Sequence, residues 1–186
     1  SYGDDEYLPY GSFDNKKNKE LKELSYNKNG LKEVDWVIGC SVLINKNKFN
    51  LPYFFDDNIF LYFEEVDICR RVKMNGGKVL TSSKLFVKHL GNKGSAATDP
   101  DYSIETEMFR NWHWMWSTFY YHKKHHNYFY ALVKTSGKLV RSFLKMIIYT
   151  INYDKKKQTM YYAKFFGIIN SMIGRKSWYR VKSLFK

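Results

Sequence analysis

Cysteine is scarce in this chain of 186 residues: only Cys40 and Cys69 occur, well separated. Two distant cysteines build no disulfide framework, so a reducing, cytoplasmic compartment is the expectation. Long apolar runs are missing as well. No stretch approaches the roughly 18 consecutive apolar residues of a membrane span. The opening SYGDDEYLPYG is acidic and polar, without the basic and apolar regions of a secretion signal. These absences point to a soluble or peripheral protein. A third scarcity is local: residues 1–100 carry 15 Lys and Arg against 14 Asp and Glu, whereas residues 101–186 carry 16 against 4. Disorder is excluded by what is present, because 44% hydrophobic and 19% aromatic residues suffice for the core of one domain, with or without an appendage.

The basic part is also the aromatic part. It holds Trp112, Trp114, Trp116 and Trp178, with the runs Phe119-Tyr120-Tyr121 and Tyr128-Phe129-Tyr130. Such interleaving suits an anionic membrane surface, where rings sit at headgroup level and cations meet phosphates. It also suits single-stranded nucleic acid. A solvated basic face over an aromatic core explains part of the pattern, but a balance of +12 exceeds what solubility requires. Lys134, Lys138, Arg141 and Lys145 form a basic stripe, and Val140, Leu144, Ile147 and Ile151 an apolar one. That is an amphipathic helix, either interfacial or packed on its own domain. His113, His122, His125 and His126 lack the paired spacing of a structural zinc site.

Three zones follow along the chain. Residues 1–33 are polar, with a short helix expected about Glu20–Leu24. Residues 34–101 are α/β in character. In this zone VDWVIGCSVLI (34–44) reads as a β-rich run, and Phe49–Phe55 as a turn around Pro52. A helix is predicted over 63–74, with Gly76-Gly77 as its C-cap. Short strands are predicted at 78–82 and 85–89, and a loop at 91–101. Residues 102–186 read as helical from Ser103 onward.

Chemistry concentrates at Glu64, Glu65 and Asp67, three carboxylates within four positions of a mostly apolar, aromatic segment. Mutual repulsion and lost hydration raise their pKa values unless a cation or a proton is handled there. The ordinary alternative is a helix start enriched in acids.

The order VDWVIGCSVLI, then FDDNIFLYFEEVDICRRVKMNGGKVL, then VKHLG resembles the C-terminal half of family 2 glycosyltransferases. The likeness is to the rhamnosyltransferase-like branch that builds cell-surface polysaccharide. FRNWHWMWSTFYYHKKH and IGRKSWYR are similar to tails of that branch, so the resemblance covers about residues 34–180. It implies the C-terminal portion of a GT-A fold followed by a basic helical tail. The activity implied is inverting sugar transfer from a nucleotide-diphosphate donor to a saccharide or lipid-linked acceptor at the inner membrane face. A direct displacement needs a base for the acceptor proton and a divalent metal, Mg or Mn, for the leaving diphosphate. By resemblance the base falls on Glu65, where the family usually carries Asp. Asp67 is the other candidate base or its support, and Glu64 supports the site. His89 is implied as metal ligand, and Gly39 and Cys40 as the floor under the donor sugar. Asp35 and Trp36 contact donor or acceptor; Arg110, Trp112 and His113 contact acceptor or diphosphate, although a surface Arg and a packed Trp explain these as well.

The nucleotide-cradling strands and the DxD of such enzymes are not found: Asp4-Asp5-Glu6 and Asp56-Asp57 are only acidic doublets. The expectation is a truncated enzyme, a separately encoded half or a piece of a longer protein, weak or inactive alone, whose partner is a missing N-terminal half. Nucleic acid is the less favoured partner, since it leaves the acidic cluster unexplained. The remaining alternative is a non-catalytic basic module.

Overall fold

The computed structural model describes residues 10–13, 20, 24–87 and 100–180. Helices and short strands form two compact units, the first from residues 1–56 and 64–90, the second from 57–63 and 91–186. The described residues of the polar N-terminal segment fall with the α/β part, and residues 57–63 fall with the helices.

In the first unit, β1 (Tyr10–Gly11) pairs antiparallel with β3 (Trp36–Val37), and β2 (Leu31–Val34) pairs antiparallel with β4 (Val79–Ser82). The register sets Val34 opposite Val79, which puts two β-branched side chains into the core together. Gly11 faces the Trp36 indole so closely that a Cβ there would stand 2.5 Å from Cζ2. Helix α1 (Glu64–Met74) buries Ile68 and Cys69 against Tyr10, Val34 and Val79. It ends as its glycines predict. Gly76 takes φ +75°, its N–H donates to the Lys73 carbonyl, and the Gly77 N–H donates to the Val72 carbonyl.

The β-rich run over 34–44 is realised only as far as Val37. Val42 and Leu43 are exposed, and no described strand lies beside them to take up their backbone groups. Leu85–Val87 is likewise not a strand, and residues 88–99 lie outside those described. So do residues 21–23 of the helix expected near Glu20, itself helical.

The second unit is three helices: α2 (Pro100–His125), α3 (Tyr128–Ile151) and α4 (Lys155–Met172). α2 begins three residues before Ser103, with a proline in the first turn where a missing N–H is harmless. Asn127 caps α3 by accepting from the Tyr130 N–H at 2.8 Å, and Asp154 caps α4 by accepting from the Lys157 N–H at 3.1 Å. Met115, Phe119, Ala131 and Ile168 form one core, and Trp112, Trp116 and Ala163 another. At Gly167 the chains cross so tightly that a Cβ would lie 2.4 Å from the Trp112 carbonyl oxygen. The segment 57–63 joins this unit through the Ser117 hydroxyl, which donates to the Leu61 carbonyl at 2.8 Å. Among the described residues no helix is long and apolar enough to cross a membrane.

Candidate functional site

The three acids of the α1 first turn have different surroundings. Asp67 is fully buried, and the Arg71 Nε one turn on donates to it at 2.8 Å. Arg71 also donates to the carbonyls of Tyr53 (2.8 Å) and Phe54. Asp67 thus orients a guanidinium that holds the loop around Pro52. That spacing, Asp and Arg at i and i+4, is legible in the sequence.

Glu65 is held otherwise. Its Oε2 is buried without a hydrogen-bond partner, as is Oε2 of Glu64. Burial first, and the neighbouring Glu64 charge second, push the Glu65 carboxyl up to about 7. Burial also raises Glu64. Gly39 lies against the Glu65 side chain, where a Cβ would stand 3.4 Å from Glu65 Cβ. A Cβ at position 39 would thus make ordinary van der Waals contact with the Glu65 arm. The turn entering α1 is strained: Tyr62 and Phe63 adopt φ of 66° and 71°, a left-handed conformation that aromatic side chains disfavour. Nothing in the sequence signals this pair.

Asp35 lies elsewhere. It accepts from Lys73 Nζ at 2.5 Å, the Ser12 hydroxyl at 2.6 Å and the Phe13 N–H at 3.0 Å. Burial raises its pKa, but these donors outweigh burial and leave the carboxyl below its usual value. Asp35 thereby ties the N-terminal segment to α1. Trp36 is half-buried on Gly11 and packs on the core of this unit. Cys40 is exposed and lines a mostly apolar cavity of about 800 Å³ with Ile68, Cys69, Val72 and Leu80. None of the three acids lines that cavity. Burial raises the Cys69 thiol, which stays protonated.

Arg110, Trp112 and His113 belong to the second unit. Arg110 pairs with Glu107 at 3.8 Å, and Trp112 and His113 are core residues. The His113 Nε2 stands 2.9 Å from the Tyr179 carbonyl, which only accepts, so Nε2 carries the proton. Nδ1 then accepts from the Ser177 hydroxyl at 2.9 Å. Burial pulls its pKa down to about 4, and the imidazole is a neutral clasp for the C-terminal segment.

His89 lies outside the described residues. Among the described residues no group of three or more His, Cys, Asp and Glu is placed to hold a metal ion. The unpartnered oxygens of Glu64 and Glu65 are the nearest thing to a donor set, and two carboxylates do not complete a coordination sphere.

No family model, no curated protein and no solved structure matches this chain. Chemically, the arrangement supplies a carboxyl poised between its two protonation states at neutral pH. Beside it is a second raised carboxyl, and Gly39 lies against the Glu65 side chain.

Proposed function

We propose that this protein is the acceptor-side, catalytic half of an inverting glycosyltransferase of GT-A type. It would act on a nucleotide-diphosphate sugar and a saccharide or lipid-linked acceptor in cell-surface polysaccharide synthesis. The observation that carries the reading is the Glu65 carboxyl near 7 with an oxygen left without a partner. A general base works best when its pKa lies near the working pH, and the buried Glu65 oxygen has a lone pair that no other donor claims. The motif order around residues 34–89 supplies the reaction class. In the reaction, the acceptor hydroxyl oxygen bonds to the anomeric carbon as its proton passes to Glu65. The bond from that carbon to the diphosphate breaks on the opposite face, and the diphosphate leaves with the electron pair. Gly39 lies against the arm of the base, and the Glu64 charge keeps its proton affinity high. Asp67 holds Arg71 and the 53–54 loop behind it. By the motif resemblance His89 would hold a divalent metal on the donor side, and the metal would take up charge on the leaving diphosphate.

The test follows the Glu65 carboxyl by carbon-13 NMR as nucleotide-sugars and acceptor saccharides are added with Mg or Mn. A titration near 7 that moves on saccharide binding is expected, with slow transfer by this chain alone that Glu65→Gln abolishes. An ordinary carboxyl titration that no sugar perturbs overturns the reading.

A further inference from the structure

Helix α3 packs onto its own unit with its least apolar side. Ala131, Thr135 and Ser142 are its buried residues, and the Thr135 hydroxyl donates back to the Ala131 carbonyl at 2.8 Å. On a helix turning about 100° per residue, Val133, Val140, Leu144, Ile147 and Ile151 fall nearly opposite that seam. All five are exposed, Val133 by 74% and Ile151 by 68%, and Phe129 continues the ridge at 76%. A continuous aliphatic ridge turned outward is a docking surface rather than a core face.

Its surroundings are cationic. Lys134, Lys138, Arg141 and Lys145 run along one side of the helix, between the ridge and the packed seam. The Lys145 ammonium lies over the Tyr161 ring and donates to its hydroxyl at 3.1 Å; Lys134 lies over Tyr130. At the far end Tyr153, 94% exposed, precedes Asp154, which pairs with Lys157 at 2.9 Å, and the exposed Lys155 and Lys156.

Charge and shape together choose the occupant. A second copy would bring the same cationic flank, and like charges would meet in a paired arrangement. Nucleic acid would satisfy the cations but leave valine, leucine and isoleucine in water. An anionic bilayer surface takes both, with the ridge in the acyl boundary, the cations at the phosphates and Tyr153 at headgroup level. We infer that α3, with the turn into α4, lies in the plane of an anionic membrane surface and anchors the protein there. This surface stands independently of any proton transfer at Glu65.

The test is flotation of the full chain with phosphatidylcholine vesicles, with and without phosphatidylglycerol. Binding is expected only where the acidic lipid is present, reduced about fivefold by each of Lys134→Gln and Arg141→Gln. Val140→Glu with Ile147→Glu is expected to abolish it while leaving circular dichroism and melting unchanged, because both positions are exposed. The inference is overturned by absence of vesicle binding in the unaltered chain, or by undiminished binding of the double variant. It is overturned equally by a solution dimer, seen in sedimentation, that the double variant dissociates.

Discussion

A carboxylate that keeps a buried oxygen without a partner burdens the state that carries its charge, and Glu65 is such a group. Its folded pKa, about 7, lies above the ordinary 4.5. The folded chain therefore holds the proton more tightly than the unfolded one, and the stability this gives is lost as pH rises from about 4.5 through 7. Glu65→Gln is expected to stabilise the first unit by about 2 kcal/mol at pH 7.5, and by much less at pH 5. Denaturant titration of both proteins at the two pH values measures this; a variant less stable at pH 7.5 would mean that the carboxylate is well paired. Stability gained together with transfer lost is the signature of a group retained for chemistry. The residue pattern reached the acidic triplet, and the resemblance assigned its roles, with Asp67 left as base or support; the packing was not legible. Three adjacent acids look alike until the packing of Ile68 and Cys69 turns Asp67 inward onto Arg71 and leaves Glu65 beside Gly39.

Elements were legible where a signal is local. Helix α1 and its glycine cap follow from spacing and from the need for positive φ at Gly76. The run over 34–44 was not, because a strand needs a neighbour, and composition does not say whether one is there. For α3 both stripes were visible, but that neither forms the buried seam was not, since Ala131, Thr135 and Ser142 look unremarkable in sequence yet permit close helix approach. The same distinction separates two helical glycines. A Cβ at Gly167 would meet the Trp112 carbonyl oxygen at 2.4 Å and Met115 Cβ at 3.2 Å, whereas one at Gly137 meets nothing within 4 Å. Gly167→Ala must push α4 off α2 and is expected to cost about 1–3 kcal/mol. Gly137→Ala removes backbone freedom from an exposed helical position and is expected to add about 0.5–1 kcal/mol. Thermal melts of the two variants should move in opposite directions. A Gly167→Ala protein melting no lower than the unaltered chain would show that the crossing is looser than described.

At the scale of the whole molecule, each unit carries one strongly shifted group among the described residues, and the two shifts have opposite consequences for acid. Glu65 in the first unit burdens the folded state as pH rises from 4.5 to about 7. His113 in the second is depressed from 6.5 to about 4, so the unfolded chain binds the proton more readily. The stability it contributes is complete above about 6.5 and falls away as pH drops toward 4. Between pH 7.5 and pH 5, each effect amounts to about 2 kcal/mol, with opposite sign. Acidification should therefore strengthen the first unit and loosen the second. Hydrogen exchange, corrected for its intrinsic pH dependence, reads the units separately through peptides from α1 and from α2. Protection in α1 is expected to rise at pH 5 while protection in α2 falls. In Glu65→Gln only the α2 change should remain, and in a His113→Phe variant that still folds, only the α1 change. If both helices gained or lost protection together in the unaltered chain, the two groups would not be titrating in separate environments, and the elevated Glu65 on which the proposed sugar transfer rests would lose its support.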